Sequence, residues 1–232
     1  MANQVTAVSG IAIGDIETIN GKTDDNIAAL RGREFTGVTD AMTLLGTVTG
    51  SNVTSITVND STLDSGIDST YDYFVFEVVN AHSHTNEGST LNLQFAVTEA
   101  GGDGTYDNIN ITSAFGIMYH DEDDSNAAGF GTIDESRNAA QVAGYVNLTS
   151  YEGNDADQSS NGRLTIWGLG SGTYEKNFIS EFSTQAGHDA VIFSQTGGVI
   201  GSNDATAIDD VNFKFSNSNI SATIRLWGWA KS

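Results

Sequence analysis

The sequence predicts an all-β fold: an antiparallel β-sandwich, jelly-roll-like, with a short N-terminal arm. Three observations carry this reading. β-branched and aromatic residues gather in short runs, of which Tyr71–Asn80 (YDYFVFEVVN) is the strongest. Gly, Asn and Asp signals punctuate the chain between those runs, so the connections are tight turns. No strand–helix–strand alternation appears, which argues against a parallel sheet.

The runs follow one another from residue 40 onward, and residues 40–232 are expected to form the sandwich body. Thr43–Thr49 and Val53–Val58 are short strand candidates, followed by Tyr71–Asn80. Thr90–Thr98 alternates, with Leu91, Leu93, Phe95 and Val97 on one face and Asn92, Gln94 and Ala96 on the other. Ile109–His120, Ala139–Thr149, Gly162–Trp167, Thr173–Thr184, Ala190–Gln195, Val211–Ser216 and Ile220–Ala230 complete the series. Spaced this way, antiparallel strands build two packed sheets.

Residues 1–38 have a different texture. Val5, Val8, Ile11, Ile13, Ile16, Ile19, Ile27, Leu30 and Phe35 are too few for a core of their own and too many for a free tail. Asn20-Gly21 is a hairpin turn signal. Asp24–Leu30 reads as one or two helical turns, capped by Thr23 and closed by Gly32. The segment is expected to dock on a partner through Ile11, Ile13, Ile16, Ile19, Ile27 and Leu30. The rival reading adds it to the sandwich as a further strand.

Composition narrows the chemistry. The chain has no cysteine, which excludes disulfides, thiolate metal sites and cysteine nucleophiles. It has no proline, where average usage would give about a dozen in a chain of this length. Net charge is -21, from 30 acids against 9 bases. Nearly all of that charge falls after residue 39, because the arm holds similar numbers of acids and bases. Such a field repels phosphate backbones, so nucleic acid is not an expected partner. No signal peptide and no span long enough to cross a membrane is read, so the chain is expected to be made in a cytoplasm and to stay soluble.

Candidate sites are few, and each has a plain structural alternative. His82 and His84 are two residues apart, so an extended segment points both the same way, as a metal pair would require. They fall in Asn80–Gly88, which reads as a hairpin loop, and exposed loop histidines are the simpler account. His120–Asp124 (HDEDD) brings Asp121, Asp123 and Asp124 together as oxygen ligands for a hard cation. Asp155 and Asp157 suggest a second such loop, but the EF-hand register fails because Ser160 stands where glycine is needed. Solvated acidic loops are the favoured reading of both. Trp227 and Trp229 share one strand face, with Leu226 and Gly228 opposite. Exposed, they would make a sugar-stacking platform, but burial in the core or a subunit interface is preferred. Trp167 is treated alike, with Tyr145, Tyr151 and Tyr174 as expected neighbours. No Gly-x-Ser-x-Gly or phosphate-loop motif is present, and paired carboxylates mean little where acids are so common. The chain is therefore expected to be neither an enzyme nor a cofactor protein.

Three stretches resemble a family of virion structural and tail-fibre-like proteins from tailed phages of marine bacteria, especially cyanophages. They are Ser65–Phe95, Gly162–Trp167 with Thr173–Phe178 (GRLTIW, then TYEKNF), and Ile220–Lys231 (ISATIRLWGWAK). Where relatives tend to carry Asn-Pro after the GRLTIW strand, this chain has Gly168-Leu169-Gly170. Ile16–Gly32 is similar to short leader segments that attach phage fibre proteins to the particle. The resemblance implies a structural protein of the virion, tail- or fibre-associated, that docks through its arm on other virion proteins. It also implies a homo-oligomer, with a trimer favoured. A capsid decoration protein and a receptor- or glycan-binding module contacting a host surface are the alternatives.

Overall fold

Strand alternation sets the layout, because a strand with one face to solvent hides one side chain in two. The computed structural model describes residues 42–63, 66–96, 109–124, 127–133, 137–187, 189–201 and 206–230, together with the backbone at 18–19, 22–23, 29–30 and 33–34. The chain divides into Met1–Ala41 and Met42–Ser232.

In the first unit, β1 (Thr18–Ile19) pairs antiparallel with β2 (Lys22–Thr23), and β3 (Ala29–Leu30) with β4 (Arg33–Glu34). The two-position gap between β1 and β2 is the spacing that the Asn-Gly signal implies. The helical reading of Asp24–Leu30 is corrected at its described positions, since Ala29–Leu30 is extended, while residues 24–28 lie outside the described residues. Cross-strand pairing overrides the helix preference of Ala29 and Leu30. Of the predicted docking residues, Ile19 and Leu30 have described backbone, while Ile11, Ile13, Ile16 and Ile27 lie outside the described residues.

In the second unit the strands are β5 (Met42–Val53), β6 (Ile56–Val58), β7 (Tyr71–Ser83), β8 (Leu91–Ala96), β9 (Ile111–Asp121), β10 (Ala127–Ile133), β11 (Ala139–Val142) and β12 (Val146–Asn147). They continue as β13 (Ser160–Trp167), β14 (Lys176–Ala186), β15 (Ala190–Ile200), β16 (Asp210–Phe215) and β17 (Ile220–Ala230). A nine-stranded sheet runs β10-β9-β15-β14-β13-β7-β17-β5, with β11 also paired to β9, and a four-stranded sheet runs β12-β8-β16-β6. Every pairing is antiparallel. The all-β sandwich expected from the sequence is thus what folds, with two sheets of unequal width.

The sheets meet face to face. Phe76 of the large sheet touches Phe213 of the small one at 5.9 Å between ring centres, and Phe178 faces Phe95 at 6.5 Å. Phe74, Val78, Leu164, Ile166, Phe182, Ile224 and Leu226 fill the same layer from the large sheet. Burying each such side chain contributes roughly 1.5–3 kcal/mol. Strand β8 is buried on both faces, so its expected polar side, Asn92, Gln94 and Ala96, is covered: Gln94 donates to the Gly144 carbonyl at 2.6 Å, and Asn92 accepts from the Thr90 hydroxyl at 2.9 Å.

Two boundaries differ from expectation. The first strand runs unbroken through Gly50–Asn52 to Val53, and only Ile56–Val58 crosses to the small sheet. Strand β7 continues to Ser83 past a bulge at Asn80, whose φ of 51° takes up the extra residue. The predicted hairpin loop at Asn80–Gly88 is therefore partly strand.

Candidate functional site

The outward face of the large sheet concentrates the unusual side chains. Register aligns them in rows across the strands. One row is Met42, Trp229, Tyr73, Trp167 and Asn177, drawn from β5, β17, β7, β13 and β14. Tyr73 stacks on Trp229 at 5.2 Å with planes 15° apart and meets Trp167 at 6.1 Å. The next row is Leu44, Trp227, Val75, Thr165 and Ile179. Partial desolvation, and secondarily the Asp72 charge, push the Tyr73 hydroxyl above its ordinary range, so the ring stays neutral.

These side chains are half-open to solvent. Met42, Leu44, Trp167 and Ile179 are 40–49% exposed, and Trp227 and Trp229 are intermediate. All three tryptophans of the chain stand on this face. Of the two places of burial expected for them, core or subunit interface, this chain's core is not the one: Ile224, Leu226 and Gly228 take the inward positions of β17. Of the neighbours expected for Trp167, Tyr174 lines the same hollow, while its ring partner is Tyr73. Tyr145 instead lies under the Lys214 ammonium at 3.8 Å, and Tyr151 under Arg137 at 5.2 Å.

A third row is ionic. Arg225, Glu77, Arg163 and Glu181 follow one another across β17, β7, β13 and β14. Arg225 binds Glu77 at 3.1 Å and Arg163 binds Glu181 at 2.8 Å, while Gln195 donates to the other Glu181 oxygen at 3.1 Å.

At one end of the aromatic row lies a hollow of about 790 Å³, lined by Tyr71, Asp72, Trp167, Ser171, Tyr174 and Asn177 among others. Its wall is the Gly168–Gly172 turn. Gly168 adopts φ 70°, and a side chain at Gly170 would overlap the Asp68 backbone. The Ser171 hydroxyl accepts from the Thr173 and Tyr174 amides at 3.1 and 3.2 Å. Leu169 is buried, so this turn is anchored while it holds Tyr174 74% exposed. Gly168 and Gly170 therefore have a local physical reason.

The sequence-predicted metal residues do not meet. His82 and His84 pack edge to face at 4.8 Å at the end of β7. One ring nitrogen of each is engaged, His82 Nδ1 with the Gln158 carbonyl at 2.9 Å and His84 Nε2 with the Ser221 hydroxyl at 2.7 Å. Asp121 ends β9, and Asp124, which is almost fully exposed, pairs with His120 Nε2 at 3.1 Å. Strands β7 and β9 are four places apart in the sheet, roughly 19 Å at the usual strand spacing. Among the described residues, no group of three or more His, Asp or Glu side chains could hold a metal ion.

One titratable residue was invisible in the sequence. Glu152 is fully buried, accepts from the Ser160 hydroxyl, and leaves Oε1 without a partner. Ser160 continues to the Thr184 hydroxyl at 2.7 Å. Burial pushes the Glu152 carboxyl up to about 8, against the opposing pull of Ser160.

No known protein family, curated protein or solved structure matches this chain.

Proposed function

We propose that this chain is a structural subunit of a phage particle, tail- or fibre-associated, whose body makes contacts through the outer face of its large sheet and whose arm docks on a neighbouring virion protein. The observation that carries this reading is the aromatic face itself. A sheet face meant only for water would alternate threonine, serine and charge, whereas this one holds Trp167, Trp227, Trp229, Leu44, Met42 and Ile179 side by side. The resemblance of Ser65–Phe95 and Ile220–Lys231 to virion structural proteins supplies the setting. Antibody against the body, imaged on purified particles, tests the reading. Label on tail or fibre is the expected result, label over the head would assign a decoration role instead, and particles without label would overturn it. Deleting residues 2–36 is expected to leave a folded body that fails to join particles.

A second reading has its own observation. The hollow beside Trp167 and Tyr174 offers ring faces together with Asp72, Ser171 and Asn177, the chemistry that binds a neutral saccharide. A glycan array with native protein and with Tyr174→Ala tests it. Loss of a neutral-glycan signal in the variant supports a receptor-binding role, and an empty array removes it.

A further inference from the structure

We propose that the outer face of the large sheet pairs two copies of this chain across a two-fold axis that runs along the strands, between β7 and β13. The inference rests on the reading of that face as a contact surface and names its occupant.

The ionic row decides the geometry. Read across the sheet it is Arg225, Glu77, Arg163, Glu181, alternating in sign. A two-fold rotation about an axis parallel to the strands keeps each row at its own height and reverses its order. Arg225 then meets the partner's Glu181, and Glu77 meets the partner's Arg163, so that every facing pair is unlike. An axis at right angles, along the row, would set Arg225 on its own copy and every other charge on its like. Electrostatics therefore selects one arrangement and rejects the other. The same rotation brings Tyr73 onto the partner's Trp167 and Trp227 onto the partner's Ile179, so the apolar rows also close on one another.

The charge distribution points to a second copy. The chain carries -21, yet among the described residues the outward positions of β17, β7, β13 and β14 between their ends hold no ionised side chains beyond these two pairs. A face that carried the chain's net negative charge would repel its own copy, and this one does not. Each arginine here already holds a carboxylate at 3.1 or 2.8 Å, so neither ion enters the contact unpaired.

A charge swap separates this arrangement from a role within one chain. Sedimentation of the full chain at micromolar concentrations is expected to show a monomer–dimer equilibrium. Arg225→Glu and Glu181→Arg each set like charges face to face across the axis and should weaken pairing by roughly tenfold or more. The double variant Arg225→Glu/Glu181→Arg ruins both pairs within a chain but restores unlike partners between chains, so it should recover most of the lost affinity. Circular dichroism confirms that each variant keeps its strand signal. A monomeric or trimeric native chain, single variants without effect, or a double variant weaker than either single would overturn the proposal. Because particle labelling reads location and not pairing, a monomeric chain that still labels particles would remove this inference and leave the subunit reading in place.

Discussion

The two faces of the large sheet are built from the same strands and nearly the same residue types, yet they do different work. On β14 the inward residues Phe178 and Phe182 are sealed, while Ile179 and Glu181 between them stand half-open. On β17 the inward set is Ile224, Leu226 and Gly228, and the outward set is Arg225, Trp227 and Trp229. The inward face is held by the small sheet, whose Phe95 and Phe213 interlock with it. The outward face has the larger rings but, within the body's described residues, no second sheet over it. Size and hydrophobicity do not decide which face is core; what decides is whether a facing layer supplies complementary shape.

That contrast can be broken by substitution. Phe76→Ala removes a sealed ring from between the sheets and is expected to cost about 3–5 kcal/mol of folding stability. Ile179→Ala, made on dilute protein, should cost less than about 1 kcal/mol. Urea denaturation of both variants checks this, and equal losses would mean that the outward face is packed within the monomer.

The interior can also be probed through Glu152, the buried carboxyl whose Oε1 is unpaired. Its folded value of about 8 lies above the ordinary 4.5. Near and below 4.5 both states hold the proton, and the group costs nothing. As pH rises toward 8 the unfolded chain releases its proton while the folded chain keeps it, so stability falls, by on the order of 3 kcal/mol at pH 7. Above about 8 the loss levels off. Glu152→Gln should flatten this slope in melting curves recorded from pH 5 to 8.

Two smaller effects sharpen the outer side. Gly170→Ala forces the Gly168–Gly172 turn off the Asp68 backbone and should cost about 1–3 kcal/mol while displacing Tyr174. Arg163→Ala, measured on dilute monomer, should change stability by only about 0–1 kcal/mol, because Arg163 is largely solvent-exposed. A large loss there would mean that the ionic row holds the monomer together.

How much of this was legible follows from what is local. Strands rich in aromatic and β-branched residues announce themselves, so β7, β13, β14 and β17 stand out in the sequence. Strand β10 does not, because Ala127–Ile133 (AAGFGTI) has small residues and glycines where strand formers would be. Which side of a strand faces in was hidden wherever both parities are apolar. Tyr73 and Phe74, or Leu226 and Trp227, cannot be told apart until the small sheet is placed. The ionic row was hidden for a different reason: Arg163 and Glu181 are 18 residues apart and Arg225 and Glu77 are 148 apart, so only register brings them together. Glu152 sits in Tyr151-Glu152-Gly153, which reads as an ordinary polar loop. Its burial comes from bridges to Ser89 and Ala186 that no local pattern marks.

The three tryptophans offer the most direct test of the central claim, since all of them stand on the outward face and none in the core. Acrylamide quenching of tryptophan emission should be followed as protein concentration is raised, with sedimentation in parallel. Pairing through this face predicts that quenching weakens and emission shifts to the blue in step with the rise from monomer to dimer mass. Quenching that stays constant while the mass doubles would place the contact elsewhere on the molecule and contradict the account.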